Sequence, residues 1–164
     1  MQINSFKDMY IAELQELASV EDQLTEALLR MANVAANPAL KDALIRHREE
    51  TQAQQGRLGS ILKKHGAERG AHTDQAMQGL VHETEKMLEM LKGNELRDAG
   101  LIASAQKLEH YEIAAYGTAA ALAGQLNLRD DQRMLHATLE EEKNADISLT
   151  QLAKGGVNKD AVAA

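Results

Sequence analysis

The chain reads as an all-α antiparallel four-helix bundle with an additional short helix between its two helix pairs, and three observations lead there. Apolar residues recur at three- and four-residue steps over long stretches, as one face of a helix requires. Aromatic residues make up only 2% of the 164 residues while Ala, Leu and Met are abundant, a composition suited to helices rather than sheets. Turn signals are few and well separated: one proline, and glycines grouped near positions 66–70, 93 and 155–156.

The first element runs from about Ser5 to Ala36, with Tyr10, Leu14, Leu17, Leu24, Leu28, Met31 and Ala35 on one stripe. Asn37 and Pro38 supply an N-cap and a first helical position for the second, whose stripe of Leu40, Leu44, His47, Leu58 and Ile61 extends to His65 and Gly66. Thr73 can cap a shorter helix to about Lys92 carrying Met77, Leu80, Met87 and Leu91. Gly93 and Asn94 open the fourth, to about Leu126, and Asp130 or Asp131 starts the last, which Gly155-Gly156 should end. Residues 1–156 are therefore expected to form one domain, and 157–164 a flexible tail.

Carboxylates interrupt these stripes. Glu21 stands between Leu17 and Leu24; Ile102, Ala105, Glu109, Glu112, Tyr116 and Ala119 share one face; Glu142 falls between Leu139 and Leu149. His47 and Glu50 lie three residues apart on the second helix. Ionised carboxylates are costly to bury unless cations, hydrogen-bond donors, water or protons compensate them. Since each candidate lies near mid-helix, antiparallel packing can bring them to one height as an oxygen-rich centre for two cations. A network of buried ion pairs or a wet polar interface is the competing reading.

Glu21, Glu50, Glu109, Glu112, Glu142 and His47 are thus the candidate metal residues, His47 either binding directly or supporting a ligand. Glu83, His110, Tyr116 and Asp146 are accessory candidates, Tyr116 through its position on the Glu112 face. His65, His72, His82 and His136 read as structural or solvent-facing.

Composition narrows the chemistry. The absence of cysteine excludes disulfides, thiol nucleophiles, iron–sulfur clusters and thiolate metal sites, so any metal must take O and N ligands. A net charge of −7 offers no overall attraction to nucleic acid or anionic membranes, and no signal core, membrane-spanning stretch or P-loop is visible. A soluble cytoplasmic protein is the expectation.

Several ordered segments resemble the YciE/YciF-type family of ferritin-like stress proteins. Glu16–Leu24 with Ala27–Ala32 is similar to its first acidic helix and "ALPKMA"-like continuation, with Leu29 in place of the common proline and Ala18 where tyrosine is frequent. Asn37–Lys41 and His47–Thr51 resemble its turn and "HxEET" segment. Ala105–Gly117 carries the most specific match, "AQxxEHYEIAAYG", and Thr138–Glu142 with Ala145-Asp146 and Leu149–Ala153 resembles the final helix. The resemblance implies a small homodimer rather than a storage cage; the carboxylate constellation adds the expectation of a stress-associated di-metal protein with two Fe ions, Mn or another divalent metal, oxidising Fe(II) with oxygen or peroxide. A conventional ferritin-like site would have Glu/His pairs on the second and fourth bundle helices, but Ala53 and Ala145 stand three residues after Glu50 and Glu142. That departure points to a modified centre or, alternatively, to a non-catalytic metal-binding or structural homodimer.

Overall fold

A computed structural model describes residues 2–70 and 73–164; His72 lies outside the described residues. Five principal helices follow in order: α1 (Phe6–Val34), α2 (Pro38–Lys64), α3 (Gln75–Met90), α4 (Asn94–Gln125) and α5 (Arg129–Leu152). No strand occurs among the described residues.

Short connections fold α1 against α2 and α4 against α5 as antiparallel hairpins, while α1–α4 and α2–α5 contacts close the four-helix bundle. Chemistry at the ends fixes these turns. Ser5 and Asn37 cap α1 and α2 by accepting from the amides of Asp8 and Leu40, and Pro38 needs no amide partner in the first turn. Buried Asp98 of α4 accepts from the backbone amides of Ala36 and Asn37 at 2.9 and 2.7 Å, tying the α1–α2 turn to the start of α4. Between the hairpins, α3 returns the chain to that end of the bundle and packs on α1 and α4.

Asp74 rather than Thr73 caps α3. One of its oxygens accepts from the Met77 amide at 2.6 Å and the other from the Tyr111 hydroxyl at 2.7 Å, so one carboxylate both starts α3 and docks it on α4. A threonine hydroxyl cannot offer two acceptor atoms this far apart. At the far end of α3 the chain turns at Gly93, whose φ of +88° is readily reached only without a side chain.

The glycine pair does break the helix: within Ala153–Val157 the backbone leaves helical geometry at Gly156 (φ 164°, ψ −40°), and the chain kinks there before resuming as α6 (Asn158–Ala163), which packs against α4. Val157 is buried in the core, an apolar anchor that draws the chain past Gly155-Gly156.

The apolar core is divided in two. One part joins Leu24, Leu28 and Met31 to Leu40, Leu44, Ile102, Leu108 and Leu149; the other joins Tyr10, Leu14 and Leu17 to Leu58, Ile61, Tyr116 and Leu135. Each fully buried Leu of this kind stabilises the fold by ~1.5–3 kcal/mol. The candidate carboxylates fall in the gap between the two parts on every bundle helix: Glu21 on α1, His47 on α2, Glu109 and Glu112 on α4, Glu142 on α5.

A second buried charge sits near the other end of the bundle. Asp131 is 1% exposed and faces the Lys64 ammonium at 2.7 Å, His65 Nε2 at 2.6 Å and the Tyr10 hydroxyl at 3.2 Å. Burial alone would push its carboxyl up, but His65 and Lys64 outweigh it and hold the group below the usual range. The Tyr10 ring also meets the His65 ring edge-on, with centroids 5.8 Å apart. Asp131→Ala would strand a buried tyrosine hydroxyl and a buried imidazole, so urea unfolding should show a loss of ~1–3 kcal/mol; an unchanged midpoint would remove this cluster from the forces joining α1, α2 and α5.

Candidate metal centre

Heptad-like spacing on α4 puts Glu109 and Glu112 on the face that also carries Ala105 and Tyr116, and all four are fully buried. From α2, His47 reaches Glu109 with Nε2 3.0 Å from a carboxylate oxygen, and the same nitrogen lies 3.5 Å from Glu142 of α5. Donor atoms of His47, Glu109, Glu112 and Glu142 all lie within 4.8 Å of one another, and all four residues are buried. Three helices therefore converge at one height.

Glu21 joins from α1. It is fully buried, accepts a short hydrogen bond from the Tyr116 hydroxyl, and is coupled electrostatically to His47 and Glu109. Glu50 takes a different place: its side chain is 43% exposed and stands 3.5 Å from His47 Nδ1, at the rim. Of the accessory candidates only Tyr116 lies in the centre. Glu83 is on the solvent side of α3, bonded to Lys86 at 3.1 Å. His110 is 67% exposed beside Asp146, and Asp146 accepts from Gln106 between α4 and α5. Both lie on α4–α5 positions outside the cluster because the buried face is already filled by Glu109, Glu112 and Glu142.

Gln54 was not among the sequence candidates, yet it is fully buried and its amide nitrogen donates to both Glu142, by a short bond, and Glu141, at 3.0 Å. Arg57 completes this chain with two bonds to Glu141, at 2.6 and 2.8 Å. The signal was present in the α2 stripe, where Thr51 and Gln54 fill the steps between His47 and Leu58; both are buried. Polar side chains there mark the same belt as the carboxylates.

The charge balance is unusual for a core. Burial is the main cause that raises the carboxyls of Glu21, Glu112 and Glu142; Glu21 is pushed up to about 8 even though the Tyr116 hydrogen bond pulls the other way. For Glu112 and Glu142 neighbouring carboxylates add to the rise, whereas His47 opposes it at Glu142. Burial disfavours the His47 imidazolium, but Glu109, Glu50 and Glu142 more than reverse this and raise its pKa well above the ordinary value. Four carboxyl groups thus share this part of the core with a single imidazole.

Directed hydrogen bonds do not make up the difference. Both oxygens of Glu109 and of Glu112, one each of Glu21 and Glu142, and both His47 nitrogens lack a hydrogen-bond partner in the chain. His47 and Glu109 are close in space, but their contact is a charge contact without the alignment of a hydrogen bond. Carboxylate oxygens and an imidazole converging with few protein donors form a donor set that could hold a metal ion.

A helical bundle of this topology, with paired hairpins and a carboxylate–histidine cluster at mid-height, defines a ferritin-like protein with a centre capable of coordinating metal ions. The chain belongs to the family described as a domain of unknown function (DUF892), whose profile matches residues 5–162. It is 43% identical to protein YciF of Escherichia coli (strain K12) over 162 residues, 98% of either chain. The crystal structure of that E. coli stress protein superposes with a TM-score of 0.91, covering 96% of this chain and 99% of the other. YcfI from Rhodopseudomonas palustris, described as a putative structural protein, gives 0.88 at 36% identity, covering 91% and 95%. A Xanthomonas campestris protein at 17% identity and a TM-score of 0.75, covering 92% of each chain, shares the fold.

The raised pKa values set a pH dependence. Native carboxyls that keep their protons above the unfolded value of ~4.3 bind more protons than the unfolded chain does, so stability falls as pH rises. For Glu21 that window ends near pH 8, and raised His47 acts in the same direction above its unfolded value of ~6.5. Metal-free protein should therefore lose stability from pH 5 to pH 8, by at most ~1.4 kcal/mol per pH unit for each such group. Urea midpoints should show this decline, and Glu21→Gln should reduce it; a flat profile would contradict the buried-carboxyl assignment.

Proposed function

We propose that this chain is a stress-associated di-metal carboxylate protein whose centre takes two divalent ions, iron or manganese, and oxidises Fe(II) at the expense of oxygen or peroxide. The observation that carries the reading is the set of buried donor atoms without partners on Glu21, His47, Glu109, Glu112 and Glu142. An apolar replacement would satisfy the core more cheaply than this arrangement. Metal ions neutralise the excess carboxylate charge and occupy the unpaired oxygens in one step.

Glu109, Glu112, Glu142 and His47 would hold the metals, with Glu21 completing the shell from α1. Gln54 and Arg57 position Glu142 and Glu141 through the hydrogen bonds described above. The Tyr116 hydroxyl holds a Glu21 oxygen, and the flanking leucine layers exclude water from both ends. Metal ions held by these residues would supply one-electron redox chemistry, with two ferrous equivalents needed per peroxide and four per oxygen reduced to water. The relatives support a stress role because one is described as the E. coli stress protein YciF. The reading includes a cytoplasmic homodimer, and no described helix is long and apolar enough to cross a membrane.

A second reading, metal binding without turnover, draws on the absence of a histidine three residues after Glu142, where Ala145 stands. The two are separated by loading the purified chain anaerobically with Fe(II) or Mn(II), counting metal, and then adding oxygen or peroxide. About two ions per chain are expected, with Glu109→Gln and Glu142→Gln each weakening affinity by roughly 10–100-fold while circular dichroism is retained. Consumption of oxidant in step with ferrous oxidation supports the enzyme; retained metal without consumption supports the binding protein. Fewer than about one tightly bound ion per chain excludes both.

A further inference from the structure

The centre is not equally sealed on its four sides. On the α1–α4 side α3 lies across the bundle, docked by Tyr111 on Asp74, and Glu21 is closed in by Tyr116. On the opposite side, between α2 and α5, a cavity of about 80 Å³ has His47 and Glu109 in its wall. Their side chains are 7% and 1% exposed, and their unpartnered atoms belong to the cluster described above. Ala43, Arg46 and Ser148 line both this cavity and a groove of about 680 Å³ that runs on toward Gly155 and Asp160. Solvent thus approaches the centre along the α2–α5 seam.

We propose that this seam is the port through which divalent cations reach the buried centre, that Glu50 receives them at its mouth, and that Ala43 and Ala145 set its width. The inference rests on the metal-binding reading above and adds the route. Ligand exchange supplies the first argument: a divalent ion arrives hydrated and must trade part of its water for protein oxygen and nitrogen ligands to enter a centre this deeply buried.

Oxygen ligands at the opening can replace that water, and the rim offers Glu50, Asn144 and Ser148. Glu50 alone among the carboxylates around the centre is both half-exposed and in contact with a buried candidate ligand, His47. A cation held by Glu50 is one side chain from the His47–Glu109 pair. Alanine at 43 and 145 matters for a steric reason: a longer apolar side chain at either position would fill a space this small. Arg46 on the same rim carries a charge that opposes cation passage, so its loss should speed loading.

The test follows Co(II) uptake by metal-free protein in a stopped-flow spectrometer, with final stoichiometry measured separately by equilibrium dialysis. Ala145→Leu and Ser148→Leu, both at partly exposed positions of α5, should slow uptake at least roughly tenfold and leave the final stoichiometry unchanged, while Arg46→Gln should accelerate it severalfold. Glu50→Gln should slow it as well. Ala114→Leu, on the exposed face of α4, should load at the wild-type rate. Wild-type rates in both leucine variants of α5 would overturn the port even if the metal site stands. Absence of Co(II) from the wild-type protein at equilibrium would overturn the metal-binding reading and the port together. Equal slowing in the Ala114→Leu control would assign the effect to general loosening of the bundle and likewise overturn the port.

Discussion

Five ionisable side chains, buried at one level between two apolar cores, are the constraint that organises this molecule. Carboxylates removed from water cost several kcal/mol each unless protons, donors or cations compensate them. The chain offers few donors: the Tyr116 hydroxyl to Glu21, the Gln54 amide to Glu142, and the charge of His47. Everything else about the fold must hold these groups together in spite of their mutual repulsion. The leucine-rich layers above and below do so, and they tolerate the belt because each layer is complete in itself.

The ends of the helices supply the register that the belt requires. Asp98 fixes the α1–α2 turn against α4, Asp74 fixes α3 against α4, and Asp131 joins α2 and α5 with Tyr10 of α1. These three buried carboxylates differ from the central ones in a simple way. Each accepts directed hydrogen bonds, whereas Glu109 and Glu112 accept none among the described residues. The contrast separates carboxylates that make structure from those in the cluster that could hold a metal ion.

Much of this was readable in the sequence, for a physical reason. A glutamate at a stripe position cannot be placed on the surface without rotating the whole helix, so Glu21, Glu109, Glu112 and Glu142 had to be buried once the leucines on either side were. Glu50 and Glu83 were less determined because neither is flanked by an uninterrupted stripe; one settles at the rim and the other in solvent. Gln54 continued a legible stripe but is uncharged, and its value lies in a partner 88 residues away. Asp131 read as a helix start because aspartate at that place normally is one; its burial depends on Lys64 and His65 arriving from the preceding hairpin. Local pattern determines which face is buried, and only tertiary packing determines what a buried group meets.

The same packing gives the belt a direction. Glu21 lies at the side covered by α3, held by a tyrosine that is itself fully buried, while His47 and Glu50 lie at the side where α2 and α5 leave a cavity. Solvent space therefore lies closer to His47 than to Glu21, and the two ends are not equivalent even though each is rich in carboxylate. Ala145 lines this cavity. An alanine in the position that a bulky ligand would fill leaves His47 as the imidazole of the cluster and leaves open space beside it. The missing histidine after Glu142 and part of the opening toward solvent thus meet at one side chain, Ala145.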